Sequence, residues 1–431
     1  MSGRGPGAPV RLRADETVKA AYAANAAPWG GRRRDALDAG VAVSATGATV
    51  RTSDGRELVD LASGGFGYGD RRVLERVEAQ MREMPLSSRH FLSRPLAALV
   101  ERMARVVPGT LSVTYPCNSG TEAVEGALKL ARGHRPQRTR VVAMTGAYHG
   151  STLAARAVSD APAPSAALAD APVEVARVPY DDLDAAARAI DRHTAAVIVE
   201  PVATGAGVRV PRPGYLAGLR RLATRAGALL IVDEVTTGLG RTGRRFAVER
   251  EGVVPDVLVL GGALGGGVLP VAAYVTTRHV NQRVYGRRDP VLHASTTGGS
   301  PAACAAALAV LDAVEEDRLE RTCAERGERL AESLERWRDE RPELVLDPDG
   351  CGLLAGFRVR DLDIAHDLQR AAVEAGVLVG AGATGDGGGW IALRPPLTIA
   401  ADELERGLAA LERALGFLAG TGAEETEAAP A

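Results

Sequence analysis

The tripeptide Ser119-Gly120-Thr121, within CNSGTEAVEGALKLAR, stands where a loop passes into an Ala- and Leu-rich run. At such a helix start free backbone N–H groups and the positive end of the helix dipole converge, which makes an anion site. Taken alone, Ser119 or Thr121 is equally an ordinary N-cap, with Glu122 in the first turn. In GAYHGSTLAAR, Tyr148 and His149 fall in a loop, where an aromatic ring could stack on a flat heterocycle or simply pack. In ALLIVDEVTTGLGRTG, Asp233 ends an apolar run, so its carboxylate is costly unless a cation pairs with it. A protonated ring nitrogen is one such cation, and any of the many arginines is another. Further on, PDVLVLGGALGGG leads into a glycine-rich turn, and the Thr-rich HASTTGG precedes a helix opened by Ser300-Pro301.

These segments need a scaffold that gathers the ends of several strands. Short β-branched runs alternate with Ala/Leu/Arg/Glu helices, the pattern of an α/β protein with a mostly parallel sheet and crossover helices. Runs 195–200, 228–234 and 257–260 are apolar nearly throughout, as parallel strands buried on both faces require. Glu200 and Asp233 fall at their carboxyl ends, where open α/β sheets bind ligands. Helices are expected over 95–107, 121–132, 301–316 and 318–338. From about residue 326 onward, long helices surround strands at 352–359 and 391–393 and the loop GATGDGGG, which together suggest a second, smaller α+β domain.

Composition bounds the partners. The 431 residues are 46% apolar and 25% charged with a net charge of −2, which fits a soluble protein with room for two domains. Near-neutral charge points away from nucleic acid and anionic membranes, and no apolar run approaches the roughly 20 residues that span a bilayer. Four scattered cysteines suggest reduced thiols, with neither a disulfide framework nor a cysteine metal site. The N-terminus lacks the apolar core of a secretion signal, so the cytoplasm is the expected compartment. Lys19 and Lys129 are the only lysines.

NSGTEA, AYHG, EPV, DEVTTGLGRTG, PDVLVL with ALGGG, the HASTTGGSPAACAAALAVLD block and RPPLTI stand in the order of the class III aminotransferases, which the chain resembles from about residue 28 to 417. Within that class, GGGVLPVAAYV and LHASTTGG are most similar to putrescine and related diamine aminotransferases. The resemblance implies fold type I, a homodimer with its active site at the subunit interface, and pyridoxal or pyridoxamine 5'-phosphate as cofactor. Carried over by position, Gly120 and Thr121, with Ser119, hold the phosphate. Tyr148 stacks on the ring, Asp233 pairs with its nitrogen, Val235 packs on the opposite face, and Thr236 lies near the ring hydroxyl. Thr296 reaches the phosphate of the partner subunit. The implied division is a flexible N-terminus (1–15), an arm with part of the small domain (16–65), a large cofactor-binding domain (66–325), a C-terminal small domain (326–419) and a disordered tail (420–431).

The same resemblance sets the Schiff-base lysine at Gly262, seven residues beyond Pro255 and just before Gly265-Gly266-Gly267. Glycine offers neither nucleophile nor base, so any cofactor is expected to bind non-covalently and ordinary transamination to be altered or lost. His149 or Tyr148 is the nearest candidate replacement base. The family's carboxylate-binding arginine falls on Ala392, with Arg394 two residues along; its second glutamate falls on Gly205, and the aromatic of its interface loop on Thr297. Three readings follow: a lysine-less cofactor enzyme acting on a small or carrier-borne amine or carbonyl, a non-catalytic subunit completing the site of a lysine-bearing paralogue, or an engineered variant.

Overall fold

A computed structural model describes residues 15–25, 39–88, 90–160, 173–286 and 291–427. Its centre is a seven-stranded sheet. The strands are Leu111–Cys117 (β1), Arg140–Met144 (β2), Glu174–Val178 (β3), Thr194–Val199 (β4), Leu229–Glu234 (β5), Val257–Leu260 (β6) and Ala272–Thr277 (β7), arranged β1-β7-β6-β5-β4-β2-β3. β7 alone runs antiparallel to its neighbours. The four strands β2 to β5 carry chain from sheet to helix and back in parallel. β4, β5 and β6 are buried at every position, which is why their sequences do not alternate.

Helices cover both faces. Gly120–His134 buries eight residues against the sheet; its N-cap is Ser119, whose Oγ accepts from Glu122 N at 3.1 Å. Pro301–Glu316 is buried on most sides because its alanines let neighbouring helices and the sheet approach closely. Arg71–Glu83 and Arg94–Val106 pack against it, capped by Asp70 and Ser93. The expected helix and strand positions agree with these elements to within a few residues.

The smaller unit contains the four strands Leu346–Gly350 (β8), Ala355–Val359 (β9), Gly380–Ala383 (β10) and Gly389–Leu393 (β11), in the order β8-β9-β11-β10. The expected strand at 352–359 starts at Ala355, since Gly352 takes a positive φ of 56°. A second small sheet is made by Ala42–Thr46, Thr49–Thr52 and Glu57–Asp60, with Val377–Leu378 added in parallel. That pairing stitches the N-terminal segment to the C-terminal part of the chain.

Arg241 fastens the two parts. It is almost fully buried and donates to the carbonyls of Leu353, Pro395, Gly64 and Gly65. One correction concerns the C-terminus. The final helix, Ala401–Glu427, runs beyond residue 419, where a disordered tail was expected, because Ala and Glu favour the helix despite the acidic composition. Residues 1–14, most of the expected flexible N-terminus, lie outside the described residues, whereas Asp15–Asn25 is helical.

Candidate active site

The carboxyl ends of β4 and β5, the start of helix Gly120–His134 and the end of β11 border a cavity of about 290 Å³. Its lining includes Gly120, Thr121, Tyr148, His149, Asp233, Val235, Thr236 and Arg394, all expected from sequence; Glu200 and Gly205, which the sequence placed at a ligand-side strand end and at the family's second-glutamate position; and Gly150, Thr204 and Trp390, for which no site role was expected. The sequence signals outside the first group were faint. Glu200 was visible only as a polar strand end, and Trp390 just precedes the expected strand 391–393 without a signal of its own.

At the helix start, the N–H groups of Gly120 and Thr121 have no partner among the described residues. Ser119 does not line the cavity; it acts as the cap. Glycine at 120 is required by space: a Cβ there would lie 2.8 Å from both Val235 methyls. Gly150 is likewise filled in by Thr121, so the turn is packed around a small concave opening.

Asp233 is 5% exposed, and its two oxygens are used differently. Oδ2 meets His149 Nδ1 at 2.8 Å, while Oδ1 accepts from Val235 N at 3.0 Å. His149 is buried and its Nε2 has no partner among the described residues. Tyr148, by contrast, is 54% exposed, its hydroxyl 3.2 Å from Ser151 Oγ. Glu200 braces this turn, accepting from Tyr148 N at 3.1 Å and from the Thr204 hydroxyl. Burial, with help from the charge of Asp233, pushes the Glu200 carboxyl up to about 7 against the opposing pull of His149.

Gly262 follows β6 as the first residue of the short turn Gly262–Gly265. It is exposed, with φ +52°, a conformation that favours glycine. The preceding Gly261 packs on Gly120 Cα and the Val235 methyls, so this turn borders the helix start. Gly205 admits no side chain, since a Cβ would lie 2.5 Å from Gly146 O and 2.8 Å from Tyr148 N. Thr296 is exposed and does not line this cavity; its neighbour Thr297 donates to Asn118 Oδ1 at 3.0 Å, tying the loop to the turn. Among the described residues no cluster of metal ligands exists, and no helix is long and apolar enough to cross a membrane. All four cysteines are free.

The residues present fit a phosphorylated pyridine. Unpartnered N–H groups and a glycine cradle suit the phosphate, and a buried carboxylate held by a histidine suits a cationic ring nitrogen. With six parallel strands and one antiparallel, the chain has the fold-type I aminotransferase architecture. The sequence matches the family model described as aminotransferase class-III over residues 33–415, and the chain belongs to that family.

Among solved structures it is similar to the ornithine aminotransferase from Toxoplasma gondii ME49, with 27% identity, coverage of 95% of this chain and 97% of the other, and a TM-score of 0.84. It is also similar to an (S)-enantioselective omega-transaminase from Thermomicrobium roseum, at 26% identity, 94% and 99% coverage, and a TM-score of 0.86. A third similar structure is acetylornithine aminotransferase from Elizabethkingia anophelis, at 26% identity, 94% and 99% coverage, and a TM-score of 0.77. Class III aminotransferases use pyridoxal phosphate and its pyridoxamine form, are typically dimeric and act on small molecules.

Proposed function

We propose that this chain holds pyridoxal or pyridoxamine phosphate without a covalent bond, and that transamination of an amine or carbonyl substrate is altered or lost. The observation that carries the reading is the combination of a furnished phosphate turn with Gly262 in the lysine position beside it. When bound, that cofactor supplies a carbonyl or amine and a ring able to draw electrons from the reacting carbon.

The chain's own residues divide the remaining work. Gly120 and Thr121 offer their N–H groups to the phosphate, and Val235 and Tyr148 flank the ring. Asp233 keeps the ring nitrogen protonated. His149, one of the two candidate bases, is committed through Nδ1 to Asp233 and is buried, so it orients that carboxylate; Tyr148, exposed on the cavity rim, is the better candidate for proton transfer. Gly262 supplies no amine, so neither cofactor capture nor proton shuttling can follow the route used by a lysine-bearing chain. Further departures at Ala392, Gly205 and Thr297 support natural divergence over a single engineered change.

Thr296 supports a second reading. Its exposure outside its own cavity suits a role at a neighbouring subunit's phosphate, in a homodimer or with a lysine-bearing paralogue. An absorbance titration with each cofactor form tests the main reading. Saturable spectral change supports it; none at millimolar cofactor overturns it. Loss of cofactor binding by a co-purified partner in Thr296→Ala tests the second.

A further inference from the structure

The segment after β4 folds back on itself, and its two sides face different spaces. Ala203 and Arg209 exchange backbone hydrogen bonds at 3.0 Å, closing residues 200–210 into a hairpin. Glu200, Thr204 and Gly205 line the first cavity from one side. Pro201, Val202 and Val210 line a second, smaller cavity of about 110 Å³ from the other. The wall between the two is pinned at both ends. The Tyr180 hydroxyl donates to the carbonyls of Glu200 and Pro201 at 3.2 and 3.1 Å, and Asp349 of β8 accepts from Val210 N at 2.8 Å.

The second cavity has an apolar floor and a charged rim. Pro201, Pro211 and Pro213 carry no N–H, and with the buried Val202 and Leu216 their side chains offer only hydrocarbon. Arg250 and Glu251, consecutive at the end of the helical turn Ala247–Glu251, are the charged residues of its lining. Neither forms an ion pair among the described residues. Glu251 accepts through Oε2 from Ala217 N at 2.9 Å, and its Oε1 stays open. Asp349 feels the charge of Arg250, but both of its oxygens are taken, by Val210 N and Gly350 N. A cation and an anion standing unpaired over one apolar pocket match the two ends of a zwitterion.

We infer that this second cavity binds a free amino acid with a small apolar side chain, of alanine to valine size. Its carboxylate meets the Arg250 fork, its ammonium meets Oε1 of Glu251, and its side chain packs on the prolines and Leu216. A volume of about 110 Å³ leaves no room for an aromatic side chain. An occupant pressed on Pro201 and Val202 also braces the hairpin from behind. Gly207, at the hairpin's far end, stands against Trp390 of the first cavity, where an added Cβ would lie 3.1 Å from the Trp390 Cβ. Binding is therefore felt in the first cavity as a change around Trp390.

Calorimetric titration of the cofactor-free protein with L-valine, isovalerate, isobutylamine and L-tryptophan tests the assignment. Valine should bind and tryptophan should not. Isovalerate lacks the ammonium and isobutylamine the carboxylate, so each should bind at least about fivefold more weakly than valine. Arg250→Gln should weaken valine by a similar factor and leave isobutylamine unchanged. Glu251→Gln should weaken valine and leave isovalerate unchanged, because its amide oxygen can still accept from Ala217. Saturating valine should shift tryptophan emission, and Trp390→Phe should abolish that shift while keeping the calorimetric affinity. No valine binding at about 10 mM, isovalerate binding as tight as valine, or parental valine affinity in both folded variants overturns the proposal. If a variant misfolds, the ligand series in the parent protein decides alone. An emission shift that is missing in the parent, or that survives in Trp390→Phe, refutes the link between the cavities. None of these measurements involves the cofactor, so their outcome is separate from that of the proposed function.

Discussion

Restoring the amine is the most informative perturbation. Gly262 has φ +52°, and a Cβ there would lie 3.0 Å from Val235 O. The left-handed conformation costs a lysine roughly 1–2 kcal/mol, and the close carbonyl adds to that because Val235 N is tied to Asp233 at 3.0 Å. A penalty of about 2–3 kcal/mol lowers the melting temperature of a chain this long by several degrees without unfolding it. Gly262→Lys should therefore be folded and slightly less stable. With the phosphate turn intact, borohydride reduction of this variant after addition of pyridoxal phosphate should leave the cofactor mass on the peptide that spans the substituted position. Amine–2-oxoglutarate exchange should nevertheless stay far below that of a lysine-bearing family member. Misplacement of a substrate by about 1 Å already costs on the order of 100-fold, and Gly205 leaves the cavity lining without the family's second glutamate. Rapid exchange restored by this one substitution would instead make Gly262 the sole defect of the site.

Other perturbations test separate parts of the site. Gly120→Ala brings a methyl within 2.8 Å of Val235, and overpacking of about 1–3 kcal/mol should weaken cofactor binding roughly 10- to 100-fold in an absorbance titration. Asp233→Ala leaves His149 Nδ1 and Val235 N without their acceptor, and should abolish cofactor binding and lower the thermal midpoint measured by calorimetry. Glu200 has a folded pKa near 7 against 4.5 unfolded, so the native state retains a proton that the unfolded chain has released; stability falls as pH rises from about 4.5 through 7. Glu200→Gln should flatten that slope in urea unfolding measured at pH 5 and pH 7.5. Arg241→Lys cannot reach all four carbonyls and should destabilise the chain by on the order of 3 kcal/mol, read from the urea midpoint.

Much of the fold was legible because buried parallel strands announce themselves. Val257–Leu260 and Leu229–Glu234 are uninterrupted apolar runs, and their ends agree with the expected ones to within a residue. What escaped depends on contacts between distant residues. Val377–Leu378 gains its strand partner more than 300 residues away, across Val59 and Asp60, which no local pattern encodes. The environment of Glu200 depends on the Tyr148 N–H and a later threonine, and the packing that excludes a side chain at Gly205 comes from the 146–148 turn. Position fixes that a residue is near the cavity; only the fold fixes whether its hydrogen bonds are already used. Asp233 and Arg394 both line the cavity, yet the carboxylate has both oxygens engaged and the Nε of Arg394 has no partner among the described residues. The helix at 401–427 shows the reverse error, where composition suggested disorder and helix propensity prevailed.

Cofactor binding by the unaltered protein, followed by borohydride reduction and mass mapping, tests non-covalent cofactor capture directly. Saturable spectral change with pyridoxal or pyridoxamine phosphate, lost on dialysis, is expected, with no cofactor mass retained on Lys19 or Lys129 after reduction. Absence of any spectral change at millimolar cofactor, or stoichiometric modification of either lysine, would contradict it.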